Sequence, residues 1–321
     1  METDPSIFEI IETNITGPRL SRRFKSVLQR LKEVDPDLLD LFLMVAYLQR
    51  CRIPVSHDTA SAFLRGIAEK YQEVVRMFDR IGAMVTEYKG NLVDIDQDYY
   101  VPRSTIVSEA VINQSSTSDF RRMYTRFHDE VSPLRICRYD IFRRKAYSAE
   151  FVNKAFPKWA DGVSFYEKII EKSDKSQIQY LYQQGSLYLL HKKQLNKAFT
   201  WSDKAILISG NRILSIRNTH ATVLFRANIN FPEDEEGTVR RTLTQSMEIL
   251  SECYSFDKRK SYHAITFADQ AIQYYARYGD SASVKYLETA KKWLEKEMKK
   301  SPWNTQISKM RKLVNRELSS I

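Results

Sequence analysis

Apolar side chains recur at helical spacing along most of this chain, and the places where the rhythm breaks divide it. From Ser6 to Leu31 the apolar positions are Ile7, Ile10 and Ile11, then Leu20, Phe24, Val27, Leu28 and Leu31. That spacing predicts two amphipathic helices interrupted at Gly17-Pro18. Asp35-Pro36-Asp37 is a helix start, with an early proline and acids in the first turn. The segment behind it, Leu38 to Gln49, is apolar on nearly every face and belongs in the middle of a domain. Ile53-Pro54-Val55 is a short extended break, after which Ser56 caps a helix reaching Leu64. Tyr71, Val74, Val75, Phe78 and Ile81 then line one face of a third helix, which ends at Gly82. Here the period changes to two: Ala83–Tyr88 and Asp98–Pro102 read as strands about Lys89-Gly90-Asn91. A closing helix runs from Ser104 through Ile106, Val107, Ala110 and Val111.

Three helices, a β-ribbon and a further helix follow the order of a winged helix, an elaborated helix-turn-helix. The chain therefore divides into an N-terminal helical segment (1–34), a winged-helix-like domain (35–115), a charged helical linker (116–157) and a helical array (158–321). In the array, Leu181, Gly185 and Tyr188 are followed by Ala198, Trp201 and Ala205, a degenerate tetratricopeptide-like pattern. A second copy is Ala268, Ala271, Ile272 and Tyr275, a turn at Gly279-Asp280, then Leu287 and Ala290. Between them, Ile213–Ala227 and Val239–Tyr254 form another pair about the acidic loop Pro232–Gly237. Small residues let paired helices approach while rings fill the groove, so Gly185 marks a helix crossing that admits nothing larger than a methyl group. The fold class is mainly all-α: a winged-helix-like module followed by a tetratricopeptide-like repeat array.

Composition sharpens this picture. Only nine glycines and nine prolines among 321 residues argue against a strand-rich fold, and 43% hydrophobic residues support packed cores. No apolar run approaches the roughly 20 residues of a membrane span, so no membrane partner is expected. Cys51, Cys137 and Cys253 are far apart and odd in number, which predicts inert thiols in a reducing, cytoplasmic setting. The net charge of +10 is concentrated in Arg19–Lys32, Arg121–Lys158 and Lys285–Arg316, the last two interleaved with acids as on solvated helix faces.

Candidate chemistry is thin. No glycine is followed by lysine, so the chain has no phosphate-binding loop and no nucleotide cofactor is expected. The histidines (57, 128, 191, 220 and 263) lack a partner at zinc spacing. Asp94, Asp96 and Asp98 resemble the opening of a calcium loop, but Tyr99 and Thr105 occupy the positions that need glycine and glutamate. No catalytic constellation emerges, and the chain is expected not to be an enzyme. As a DNA reader, the third helix offers Glu69, Lys70, Gln72, Glu73, Arg76, Asp79 and Arg80, a mixture without a positive field, beside three aspartates that repel phosphate. Nucleic-acid binding is expected to be weak and non-specific.

The run Tyr99-Tyr100-Val101-Pro102-Arg103-Ser104-Thr105-Ile106-Val107-Ser108-Glu109-Ala110-Val111 resembles the end of the winged helix in bacterial STAND NTPases. These are signal-transduction ATPases related to plant and animal immune receptors, and many bacterial members resemble antiphage-defence proteins. Ile7-Phe8-Glu9-Ile10-Ile11 with Leu41–Ala46 is similar to the family's lead into that module. Asn211-Arg212-Ile213 with Thr219-His220-Ala221, and Phe267-Ala268 through Tyr278-Gly279-Asp280, resemble its repeat segments. In the family an Arg-His pair, followed by an acid, precedes a small apolar helix, and in related receptors the histidine faces the nucleotide. Arg103 and Glu109 match, whereas Ser104 stands at the histidine position.

The resemblance implies a sensor module from which effector and NTPase are absent, either the C-terminal part of a longer protein or a separate subunit. Its repeats are expected to bind a protein trigger or partner, with Gln184, Tyr188, Lys192 and Trp201 as candidate contacts. A winged-helix transcriptional regulator with a repeat domain for its signal is the alternative, and a scaffold holding two partners a third.

Overall fold

A computed structural model of the chain describes residues 18–68, 70–88, 90, 97–233 and 236–320. The expected helix about Ile7–Ile11 and the acids Asp94, Asp96, Asp234 and Glu235 lie outside them. Among the described residues there are sixteen α-helices and one small three-stranded sheet. No helix is long and apolar enough to cross a membrane among those residues. The chain divides into two compact units between Pro157 and Lys158.

The first unit is built around its second helix. Helix α1 (Pro18–Val34) leads into α2 (Pro36–Arg50), whose residues Leu38 to Leu48 are all buried. Asp35 caps α2, accepting from the backbone N–H of Asp37 at 3.0 Å and of Leu38 at 3.3 Å, and Pro36 fills the first helical position, where no N–H is needed. Strand β1 (Val55–Ser56) is followed by α3 (His57–Phe63) and α4 (Tyr71–Arg80), then by strands β2 (Val85–Glu87) and β3 (Tyr99–Pro102). The sheet order is β1-β3-β2 and both pairings are antiparallel, with Val55 opposite Tyr100 and Val85 opposite Pro102. The extended break at residues 53–55 thus contributes a third strand to the expected ribbon. Ser56, as expected, caps α3 through the Thr59 N–H at 3.1 Å.

Two expected divisions give way in this unit. Helix α1 packs on α2 and on α5 (Thr105–Gln114), so 18–34 is part of the same body and not a separate segment. Nor is 116–157 a linker. Its helices α6 (Thr117–Glu130), α7 (Tyr139–Ala146) and α8 (Ala149–Ala155) carry rings onto Tyr47 of α2. Tyr124, Phe127, Phe142 and Phe151 surround the Tyr47 ring edge-on at 5.1–6.0 Å. The Tyr47 hydroxyl donates to the Ala146 carbonyl at 3.1 Å and lies 3.1 Å from His128 Nε2. The charges of α6 also differ from the expected solvated face. Arg122 grips the buried carboxylate of Asp40 through two 2.8 Å bonds, and Arg126 reaches Asp37 at 3.1 Å. The charged, irregular pattern disguised a segment whose aromatic stripe is core and whose arginines fasten it to α2.

The second unit is a run of antiparallel helices: α9 (Trp159–Lys172), α10 (Lys175–His191), α11 (Leu195–Ser209), α12 (Leu214–Asn228), α13 (Thr238–Phe256), α14 (Lys260–Tyr278), α15 (Ser281–Lys300) and α16 (Thr305–Leu318). Each packs on the next, and the even-numbered ones from α10 to α16 also touch one another in succession. Turn chemistry sets the joints. Gly279 adopts the left-handed conformation at φ 59° to end α14, and Asp280 caps α15 through the Ser283 N–H at 2.9 Å. The core contains the small and large residues of the repeat pattern, with Ala268, Ala271, Leu287 and Ala290 fully buried.

Candidate partner-binding surfaces

Arg103 and Ser104 form the corner between β3 and α5. Ser104 is buried and caps α5, its Oγ accepting from the Ile106 N–H at 3.1 Å. A serine at this position stabilises a helix start by about 1 kcal/mol. Arg103 donates from Nη2 to the Gly82 carbonyl at 3.0 Å, and its backbone N–H reaches the Met84 carbonyl at 3.1 Å. Arg103 therefore ties the end of β3 to the turn after α4, while Ser104 fixes the start of α5.

Beside that corner lies a cleft of about 320 Å³ lined by Phe78, Asp79, Glu87, Asp98 and Tyr100 among others. Phe78 and Tyr100 stack at 3.7 Å with their planes 6° apart, and burial, then the nearby Asp98, pushes the Tyr100 hydroxyl up to about 12. Asp98 also accepts from the Tyr71 hydroxyl at 2.5 Å, while His57 stacks on the Tyr71 ring at 4.1 Å. The acid before β3 is thus tied to α4, and the three carboxylates around the cleft disfavour a phosphate there. Tyr71, expected on the apolar face of α4, is instead over half exposed.

In the second unit the four candidate contacts separate into two kinds. Tyr188 is fully buried: its ring lies against Gly162 of α9 and its hydroxyl donates to the Lys158 carbonyl at 2.9 Å. Burial pushes that hydroxyl up to about 12. Trp201 is 8% exposed and lies against Gly185, edge-on to Tyr166 at 6.0 Å and to Tyr182 at 5.2 Å. Neither ring can meet a partner, because each fills the crossing that a glycine opens. Gln184 and Lys192 are half-buried and remain accessible. The Lys192 ammonium lies 5.5 Å from the Tyr188 ring, and burial lowers its pKa.

The sequence pattern gave no warning of a polar ladder between the even-numbered helices. Gln183 of α10 donates to the Ser215 carbonyl at 2.9 Å and to Thr219 Oγ1 of α12 at 2.8 Å. Asn218 of α12 lies 2.8 Å from Nδ1 of His263 on α14, whose Nε2 is 2.7 Å from Asp257. The Ser246 hydroxyl of α13 bridges the Ala221 carbonyl of α12 at 2.7 Å and the Gln270 amide of α14 at 2.8 Å. The available signal was polar residues at positions that the helical period assigns to the inside. Buried polar groups require such partners, so the ladder fixes which helix meets which and in what register.

The thiols of Cys51 and Cys253 are buried, and burial raises the pKa of both, Cys253 to about 11. No group of three or more His, Cys, Asp or Glu side chains suited to a metal occurs among the described residues. Comparison with protein-family models, curated proteins and solved structures gives no match to this chain.

Proposed function

We propose that the chain is a non-catalytic regulatory module of the kind found in STAND-type antiviral signalling systems. Its 158–321 array binds a protein trigger or partner, and its 35–115 module packs as a winged helix on a nucleotide-binding core. The observation that carries the reading is the layering of the second unit. Helices α10, α12, α14 and α16 touch in succession while each packs on its own neighbours, so every added pair extends one continuous face. Arrays of this construction bind macromolecules by shape across several repeats. The strand order β1-β3-β2 within a helix–strand–helix–helix–ribbon succession supports the winged-helix reading of the first unit. The acidic cleft beside α4 favours a protein neighbour over DNA. A ligand would act only through its different affinity for the resting and active arrangements.

The test uses the full chain with the P-loop ATPase encoded beside it or continuous with it. The two should co-elute, and the chain should change that enzyme's ATP turnover several-fold while hydrolysing none itself. Binding to DNA duplexes should be weak, indifferent to sequence and steeply lost with salt. An inert ATPase together with a nanomolar operator complex at physiological salt would instead make the chain a transcriptional regulator.

A further inference from the structure

Short joints between consecutive packed helices put the α9–α10, α11–α12, α13–α14 and α15–α16 loops at one edge of the second unit, and the other loops at the opposite edge. The first edge carries large apolar side chains in the open. Leu207 is 71% exposed and Ile208 46% exposed near the end of α11, Phe256 is 76% exposed at the end of α13, and Trp303 is 81% exposed beyond α15. The same structural position thus carries an uncovered apolar group in three consecutive helix pairs. Scattered exposed apolar residues are ordinary, but recurrence along one edge marks an interaction surface.

At the three joints that carry these groups the charge without an ion pair is basic, whereas the α9–α10 joint carries the exposed Asp174. Arg212, Lys258, Arg259 and Lys299 are exposed beside the apolar groups, and none joins an ion pair among the described residues. The carboxylates nearest Lys258, Arg259 and Lys299 in sequence are occupied: Asp257 holds His263, and the buried Glu297 holds Lys300 at 2.7 Å. At the α12–α13 and α14–α15 joints of the opposite edge, by contrast, Arg277 pairs with Glu233 and Arg240 with Asp280.

We propose that this edge docks an acidic segment of a partner protein carrying apolar anchors, a proposal that rests on the reading of the array as a protein-binding domain. Carboxylates match the free cations, and the apolar groups call for side chains to bury. Leu207 and Ile208 decide against single-stranded nucleic acid, because bases stack on rings and planar guanidinium groups and gain little from branched aliphatic chains. Packed helices lie about 8–10 Å apart, so an extended segment on the order of ten residues spans the three anchor positions.

The probe is a fluorescein-labelled peptide of about fifteen residues, long enough in extended form to span the edge, alternating Glu with Leu and Phe. Its anisotropy is followed on the full chain, against a Lys-for-Glu version and a single-stranded oligonucleotide of equal reach. Expected is saturable binding of the acidic peptide, weakened by salt. It should weaken at least about tenfold in Phe256→Ser/Trp303→Ser and in Lys258→Glu/Arg259→Glu, both with unchanged helical circular dichroism. Tighter binding of the oligonucleotide, or peptide binding indifferent to both double variants, would overturn the proposal. Retention of the ATPase partner by both variants would also overturn it while leaving the proposed function standing.

Discussion

A methyl group added at Gly185 would overlap the Trp201 ring, and one added at Gly162 would overlap the Tyr188 ring. The sequence pattern placed Gly185 at a crossing with room for a methyl group, so that alanine there would stabilise slightly. The ring allows no such room. Alanine is favoured over glycine inside a helix by about 1 kcal/mol, whereas overpacking a filled crossing costs about 1–3 kcal/mol. Gly185→Ala is therefore expected to be destabilising by on the order of 1 kcal/mol, and Gly185→Leu by more. All four tryptophans (159, 201, 293 and 303) lie in the second unit, so urea unfolding followed by tryptophan fluorescence reports on that unit alone. A raised midpoint for the alanine variant would mean that Trp201 steps aside and that the crossing is looser than its geometry indicates.

At the scale of elements, α6 is held to α2 by rings and by two ion pairs, of which Arg122–Asp40 is the buried one. Burial pushes the Asp40 carboxyl up in pKa, opposed by the hydrogen bond and charge of Arg122. Arg122→Met removes that opposition and leaves a buried acid unpaired, which is expected to destabilise the first unit by on the order of 1–3 kcal/mol, since Arg122 is partly exposed. The sign with pH follows. An acid whose folded pKa is raised binds protons more readily when folded, so the penalty shrinks as pH falls towards that pKa. The check is thermal unfolding followed by circular dichroism, in the transition that tryptophan fluorescence does not see. Arg122→Met should recover on acidification, and Asp40→Leu in the same chain should restore most of the loss. A loss independent of pH would assign the effect to the packing of the arginine stem.

For the molecule as a whole, the two units should respond differently to acid. In the second, burial lowers the pKa of His220 and, with Arg226 and Lys192 nearby, that of His191. A histidine with a depressed folded pKa contributes stability above its ordinary value near 6.5, and this is lost as pH falls through the folded value. Asp257 follows the same sign lower down. Burial alone would raise it, but the Arg259 N–H and His263 outweigh burial and hold it below 3.8. Tryptophan-monitored stability should therefore be level near neutrality, decline below about pH 6.5 and decline again below about pH 4. His220→Gln should flatten the upper decline and Asp257→Asn the lower. A single decline unaffected by either substitution would place the acid sensitivity elsewhere.

What the sequence determined by itself is what local chemistry controls. Asp35-Pro36, Ser56, and Gly279-Asp280 are caps and stops whose preferences operate within one turn, and the structure has helix ends at each. The all-round apolar α2 announced a central helix because no other environment accommodates it. Tertiary structure decided what depends on neighbours. Spacing shows that Tyr188 and Trp201 lie on helices, but only the glycine opposite each ring decides that both are core. Residues 116–157 looked like a solvated linker because their charges were counted without the carboxylates of α2 that receive them. The row of uncovered apolar groups, from positions over forty residues apart in sequence, exists only once the helices fold back on one another. A side chain's direction is set by its own helix, but its exposure and its ion pairs are set by whichever helix packs against it.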